Sequence, residues 1–342
     1  MIKLKWLIAH QPAYLFVRTA KAFVDEINKT CPGEFDIEIL TMKDYIEQYN
    51  DIPELAMKPA HVKGVEKPHD EMFEEVKWSD VGRKWSAFFR GLREQKFDIS
   101  QTQITVLGGH LHKVFSTLDL PFLFKDHDHA TRVLDGEIGK KMREQFSKAT
   151  GINSLAFTYS GGFRIIGSEH DIEDIHQLAD VNLQTTPVTR HMWNELNAKA
   201  FPRMGMDIQE TNDAVGDKGA VETTYLRFDG KNILKTNHSM FLTSIICGRQ
   251  LLNRLTDKQK KAFEEAAFKV GKIERKWSLE DCEKFENTAK ERGVQIRSVT
   301  KEEDEKMRDA ALASYDAFLH NEDRKFGADS FREGLVDQIQ KA

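Results

Sequence analysis

Histidines 110, 112, 127 and 129 form two His-x-His pairs, and Asp126 and Asp128 interleave the second. On a strand, residues two apart face the same way, so such a pair can chelate a metal. The second pair has another use. Asp126 or Asp128 can cap a helix opening near His129, because a short carboxylate accepts the unpaired N–H groups of a first turn. Capping accounts for the Asp-His-Asp-His run, and no metal site is expected. Cys31, Cys247 and Cys282 lie far apart with no Cys-x-x-Cys spacing, which fits buried thiols better than zinc or disulfides. The sequence holds no GxGxxG, P-loop, GxSxG or HExxH motif, so no cofactor is expected. No carboxylate pair stands apart as a general acid and base. These absences favour binding over catalysis.

The binding chemistry on offer is one arginine, two glycine pairs and a few polar side chains. Ile152–Tyr159 reads as a strand that runs into Ser160-Gly161-Gly162, a natural hinge. Arg164 follows directly. Its planar guanidinium suits a carboxylate, since two parallel N–H bonds meet two oxygens; a salt bridge to Glu169 or Asp171 would occupy it instead. Gly108-Gly109 close a run, Gln103–Leu107, that reads as extended. Open α/β sheets bind ligands at the carboxyl ends of their strands, which makes Gly108 a candidate. Gln11 lies in the break His10-Gln11-Pro12 at the end of the first strand and is another.

These residues need a scaffold. Residues 3–9 alternate like a half-buried strand, and Tyr14 to Asn28 carries apolar residues at helical spacing. Phe35, Ile37 and Ile39 alternate again. This β-α-β opening implies a parallel pair with a crossover helix. Residues 41–80 mix three prolines with many charges and read as an irregular excursion. Further strands are expected at 181–185, 239–247 and 294–296, with short helices at 171–178 and 211–215. Long helices are expected over 81–95, from Thr256 to about Arg292, and after Thr300, which forms a capping box with Glu303. With 342 residues the chain is long enough for two cores. Its hydrophobic content of 40%, charged content of 31% and net charge of −5 exclude a nucleic-acid footprint and a polybasic membrane anchor. No apolar run approaches the roughly 18–20 residues of a membrane span.

Four stretches resemble one family. They are Leu118–Lys141 (LDLPFLFKDHDHATRVLDGEIGKK); Gly162-Phe163-Arg164 through Leu178; Gly219-Ala220-Val221-Glu222; and Thr236-Asn237-His238 followed by the helix start at Leu255–Ala262. Together they resemble the extracytoplasmic solute-binding proteins of TRAP transporters, DctP type. The resemblance implies an α/β, two-domain periplasmic-binding-protein-like fold with mixed sheets, a hinge and an interdomain cleft. Expected limits are 1–160 plus 236–272 for the first domain, 161–235 plus 273–315 for the second, and 316–342 for a helical tail. It implies a small polar ligand, TRAP membrane permease subunits as partners, a monomer, and no nucleic acid or membrane insertion. Met1–Lys5 shows no signal peptide, while the resemblance implies the periplasm, as a mature form.

In the family, Arg164 contacts the ligand's acid group, and a second Arg, in Lys-Ile-Arg, clamps it. Here the matching residues are Asn182-Leu183-Gln184, and Gln184 cannot neutralise an anion. Arg190, Arg203 and Arg227 are possible substitutes. After Glu222 the family has an Asp and then a short segment holding an Asn that contacts ligand. This chain reads Thr223-Thr224-Tyr225-Leu226, where Thr224 or Tyr225 could bond a polar ligand atom, and Asn237 completes the candidate set. The pocket is therefore expected to suit a monoacid or a ligand of lower charge. Alternative functions are a metal-dependent or acid–base enzyme using the same cleft, and a receptor that presents residues 41–80 to a protein.

Overall fold

The computed structural model describes residues 1–9, 13–49, 57–59, 74–76, 81–168, 172–202, 215–220, 225, 232–318 and 330–342. The opening is β1 (Ile2–Ile8), α1 (Ala13–Thr30) and β2 (Phe35–Thr41), with Ile2 opposite Phe35 in a parallel pair. Within the expected excursion lie α2 (Met42–Tyr49) and an antiparallel pair, β3 (Met57–Pro59) and β4 (Glu74–Val76). Next come α3 (Val81–Arg93), β5 (Ile99–Gln103) and α4 (Ile104–His110). The helix α4 corrects the extended reading of Gln103–Leu107. Ile104 to Gly108 are all buried, so the run shows neither period, and such runs cannot be sorted into helix or strand by pattern.

The helices α5 (His127–Asp135) and α6 (Glu137–Thr150) lead into β6 (Ile152–Ser168). Asp126 is the cap of α5, accepting from His129 N–H at 2.7 Å. The remaining elements are β7 (Asn182–Thr185), α7 (Arg190–Glu195), β8 (Lys199–Pro202), β9 (Val215–Gly219), β10 (Asn232–Lys235), β11 (Met240–Gly248), α8 (Arg249–Arg254), α9 (Asp257–Glu291), β12 (Gln295–Ser298), α10 (Lys301–Asp316) and α11 (Ser330–Lys341). Thr256 with Gln259 and Thr300 with Glu303 form reciprocal capping boxes at the starts of α9 and α10. The short helix expected over 171–178 is a 3-10 turn at Ile175–Leu178. Val215 begins a strand, and the rest of the helix expected at 211–215 lies outside the described residues.

One strand, β6, belongs to two sheets. Its first part, up to Phe163, pairs with β11 in the order β2-β1-β5-β11-β6. From Arg164 it pairs with β9, and through Ile166–Ser168 with β10, in a sheet that continues to β7 and β8 on one side and β12 on the other. Parallel and antiparallel pairs occur in both. Each sheet is apolar on both faces. In β1, Trp6 and Ile8 join the core under α1 and α9, while Leu7, with Ala9 just past the strand, joins the core under α3 to α6 and α11. In β6, Ile166 joins a core with Trp193 and Met307, while Ile165 joins Tyr225, Ile233 and Ala289. Alternating side chains on one strand thus feed opposite faces.

The strand changes sheets at Gly161 and Gly162, which have φ of 91° and 69°. Side chains rarely tolerate that region, and glycine adopts it freely. A Cβ on Gly161 would lie 2.6 Å from the Ala220 carbonyl oxygen. The 35-residue α9, about 52 Å long at 1.5 Å per residue, lies along this crossing. Glu274 accepts from Tyr159 N–H at 2.8 Å, Ser278 accepts from Gly161 N–H at 2.9 Å, and the Cys282 thiol donates to the Ala220 carbonyl. Residues four apart share one helix face, so all three point at the hinge.

Candidate functional site

Arg164 is the second β6 residue beyond the two hinge glycines and the first to pair with β9. Its backbone is fixed on both sides: its N–H donates to the Ser239 carbonyl and its carbonyl accepts from Asn237 N–H. The side chain is only 5% exposed. Its Nη1 lies 3.4 Å from Asp217 Oδ1, and its guanidinium centre sits 4.1 Å from the Phe241 ring centroid. Its Nε has no hydrogen-bond partner among the described residues.

Asp217 comes from β9 and faces the same side as Arg164 because Ile166, two residues on, is its register partner. Its Oδ2 accepts from Thr185 Oγ at 2.8 Å and Thr189 Oγ at 3.3 Å, and lies 3.1 Å from His238 Nε2. Thr236 Oγ in turn bonds His238 Nδ1 at 2.8 Å. Burial by itself would raise the Asp217 carboxyl, but the facing His238 and Arg164 and the hydrogen bonds outweigh it and hold the group well below the usual carboxylate range. The cluster is a buried ion pair whose acceptor oxygens are occupied.

Asp119 is a second buried carboxyl beside it, 2% exposed. Thr105 Oγ donates to its Oδ1 at 3.0 Å, and Oδ2 has no partner. Burial pushes its pKa up to about 6, against the pull of Arg164 and the Thr105 bond, with Asp217 adding to the rise. Asp119 borders a pocket of about 120 Å³ between the two halves of the molecule. Thr105 and Ser116 line it on the same side as Asp119, and Pro187, Val188 and His191 line it from the loop after β7 and the start of α7.

Of the residues singled out from sequence, Arg164 stands in this cluster. Its partner is Asp217, and Glu169 and Asp171 lie outside the described residues. Gln184 is buried on β7, but the pleat turns it away from Asp217, and its neighbour Thr185 makes the bond. Gly108 lies inside α4, against the Ser116 backbone, where a Cβ would meet N at 2.7 Å; its smallness serves packing. Tyr225 is buried with Ile165, Ala220 and Ile233, and burial pushes its hydroxyl well above the usual range, with Cys282 and Glu286 adding to the rise. Asn237 is exposed, in a left-handed turn with φ of 48°. Arg190 Nε donates to His191 at 3.2 Å. Gln11, Glu222, Thr224, Arg203 and Arg227 lie outside the described residues.

The histidine pairs are taken up locally. His129 Nδ1 accepts from Lys125 N–H and its Nε2 lies 2.7 Å from the Ile339 carbonyl, while His112 Nδ1 accepts from Val114 N–H. His127 packs between the Tyr159 and Phe163 rings. Sequence reasoning passed over Asp119, Asp217 and the role of His238. Asp119 had a signal: an acid flanked by Leu118 and Leu120 in an apolar run is a buried charge in need of a partner.

Two lobes joined by a glycine hinge, with a buried guanidinium and a pocket between them, define a receptor that takes a small solute into a cleft. Residues 84–209 and 230–322 match the family model of the bacterial extracellular solute-binding proteins, family 7 (DctP). The chain belongs to that family, the solute-binding proteins of TRAP transporters, and is a binding protein, not an enzyme. The 2,3-diketo-L-gulonate-binding periplasmic protein YiaO of Escherichia coli K12 is 23% identical over 262 residues, covering 74% of this chain and 78% of its own. Two solved TRAP periplasmic solute-binding proteins share the two-domain fold over 99% of this chain at 17% identity. One, from Desulfovibrio desulfuricans with bound sn-glycerol-3-phosphate, has a TM-score of 0.77 and 97% of its own chain covered. The other, from Xanthobacter autotrophicus Py2 with bound β-D-galacturonate, has a TM-score of 0.74 and 99% covered.

Proposed function

We propose that this protein captures a small hydroxylated monoacid, or a ligand of similarly low charge, between its two lobes in the periplasm and delivers it to TRAP membrane permease subunits. The observation that carries the charge assignment is the Arg164–Asp217 pair. The one buried guanidinium of the cluster already faces a carboxylate, and Asp119 adds a second acid. A second negative charge placed beside this pair would lose its hydration against a guanidinium already engaged by Asp217, and buried charge of that kind is costly. A single carboxylate can use the unpaired, buried Nε–H of Arg164 once the cleft admits it, with hydroxyls meeting the rest. YiaO and the galacturonate-bound protein are named for ligands of this kind.

The lobes in this reading are residues 1–160 with 236–272 and residues 161–235 with 273–315, with 316–342 as the tail; the change of β6 partners after Phe163 supports the division. A single chain closes on its ligand as a monomer. Closure shifts the population from an open, hydrated cleft to a dry one, where each hydrogen bond is stronger. Gln184 leaves the carboxyl end of β7 neutral, and Gln184→Arg is expected to move preference toward dicarboxylates. A thermal-shift panel of D-glucuronate, D-galacturonate, succinate, malate and sn-glycerol-3-phosphate tests both points. A dicarboxylate or the phosphate stabilising the unmodified protein more than any monoacid would sink the low-charge reading.

A further inference from the structure

The Arg164 cluster leaves two buried polar atoms without partners, the Arg164 Nε and the Asp119 Oδ2. The first is a donor and the second, in an ionised carboxyl, an acceptor. A buried polar group without a partner costs roughly 1–3 kcal/mol, and a ligand group entering the cleft could satisfy both. Asp119 lines the 120 Å³ pocket together with the short hydroxyl side chains of Thr105, Ser116 and Ser314 and the apolar Val188 and Phe318. An apolar cavity of about 150 Å³ holds benzene, so this one has room for about five heavy atoms. It is therefore sized for one end of a small molecule. The polar Lys113 and His191 line the same pocket.

We propose that the Asp119 pocket is a specificity subsite that accepts a hydroxyl-bearing end of the ligand, with the hydroxyl donating to Asp119 Oδ2 while the ligand's acid group lies toward Arg164. The assignment rests on the low-charge reading of the cleft and adds to it a polarity: acceptor at one end, donor at the other. A ligand whose distal end is a methyl group leaves Asp119 unsatisfied and is rejected, as sites built around a hydrogen bond reject analogues that lack it.

Calorimetry on the full chain with D-glucuronate, 6-hydroxyhexanoate and heptanoate tests this. The last two differ only in a terminal hydroxyl exchanged for methyl. The expected result is at least tenfold tighter binding of 6-hydroxyhexanoate than of heptanoate, and loss of that ratio in Asp119→Asn, whose amide turns a donor toward the pocket. Val188→Phe, which fills the pocket without touching the acid, gives a second route and is expected to weaken D-glucuronate and 6-hydroxyhexanoate alike. Equal affinity for the two linear acids in the unmodified protein, or a ratio retained in both variants, overturns the subsite and leaves the monoacid reading standing. If succinate or malate binds and none of the three probes does, the monoacid reading fails and the subsite falls with it. A protein that binds none of these five compounds overturns both.

Discussion

The Arg164 guanidinium lies 3.4 Å from Asp217 through Nη1 and is covered on one face by Phe241, and its Nε–H has no hydrogen-bond partner among the described residues. Arg164→Lys keeps the charge and the pairing with Asp217 but loses the planar fork and the stacked face. Ligand affinity is expected to fall at least tenfold, about 1.4 kcal/mol. Calorimetry that finds unchanged affinity in a folded variant removes Arg164 from the site. At this scale the sequence was half legible. An arginine just past two glycines is visible in one dimension. Its partner is not, because Asp217 lies 53 positions away and meets it only through the β6–β9 register. Gln184 was legible as a neutral residue at a special place. Its facing was not, since a strand's pleat is fixed by which neighbour anchors it, here Thr185. Asp119 was hidden within a run read for its apolar residues.

Among the elements, β6 carries the most function. Its two glycines sit in the left-handed region, and Gly161 is pressed against the Ala220 backbone. Gly161→Ala is expected to cost roughly 2 kcal/mol or more, from strain and from displacing that backbone. Gly33→Ala is the control: φ is 70° but nothing lies within 4 Å, so only strain of about 1 kcal/mol is expected. Urea unfolding compares the two, and equal losses would show that the close approach carries no energy. Other elements were read well where the signal is local. The cap at Thr256, the capping box at Thr300, the opening β-α-β unit and the cap before His129 all announce themselves within a few residues. The helix α4 was misread because full burial erases periodicity.

The whole molecule carries a titrating group at the crossing of its lobes. Burial raises the Glu274 carboxyl from 4.5 to about 8, although Tyr159 N–H and the Gln101 amide bond to it. The folded chain therefore keeps a proton that the unfolded chain releases at lower pH. The native state binds more protons throughout this window, so stability falls as pH rises from 4.5 to about 8. Glu274→Gln has no such proton, and its unfolding free energy is expected to be flatter over that range. Urea melts at stepped pH check this, and parallel profiles for the two proteins would assign the slope to other groups.

The same helix that carries Glu274 also carries Ser278 and Cys282, and it packs against the first lobe with Phe263 and Val270 and against the second with Ala289. A rod fastened on both sides of a pivot acts as a torsion spring. Any rotation about Gly161 and Gly162 must be matched by bending of α9 or by slippage of its three anchors. The work of that deformation is subtracted from the ligand's contact energy. The resting angle of the cleft, and with it the tightness of capture, is thus set partly by a helix that lines no part of the pocket.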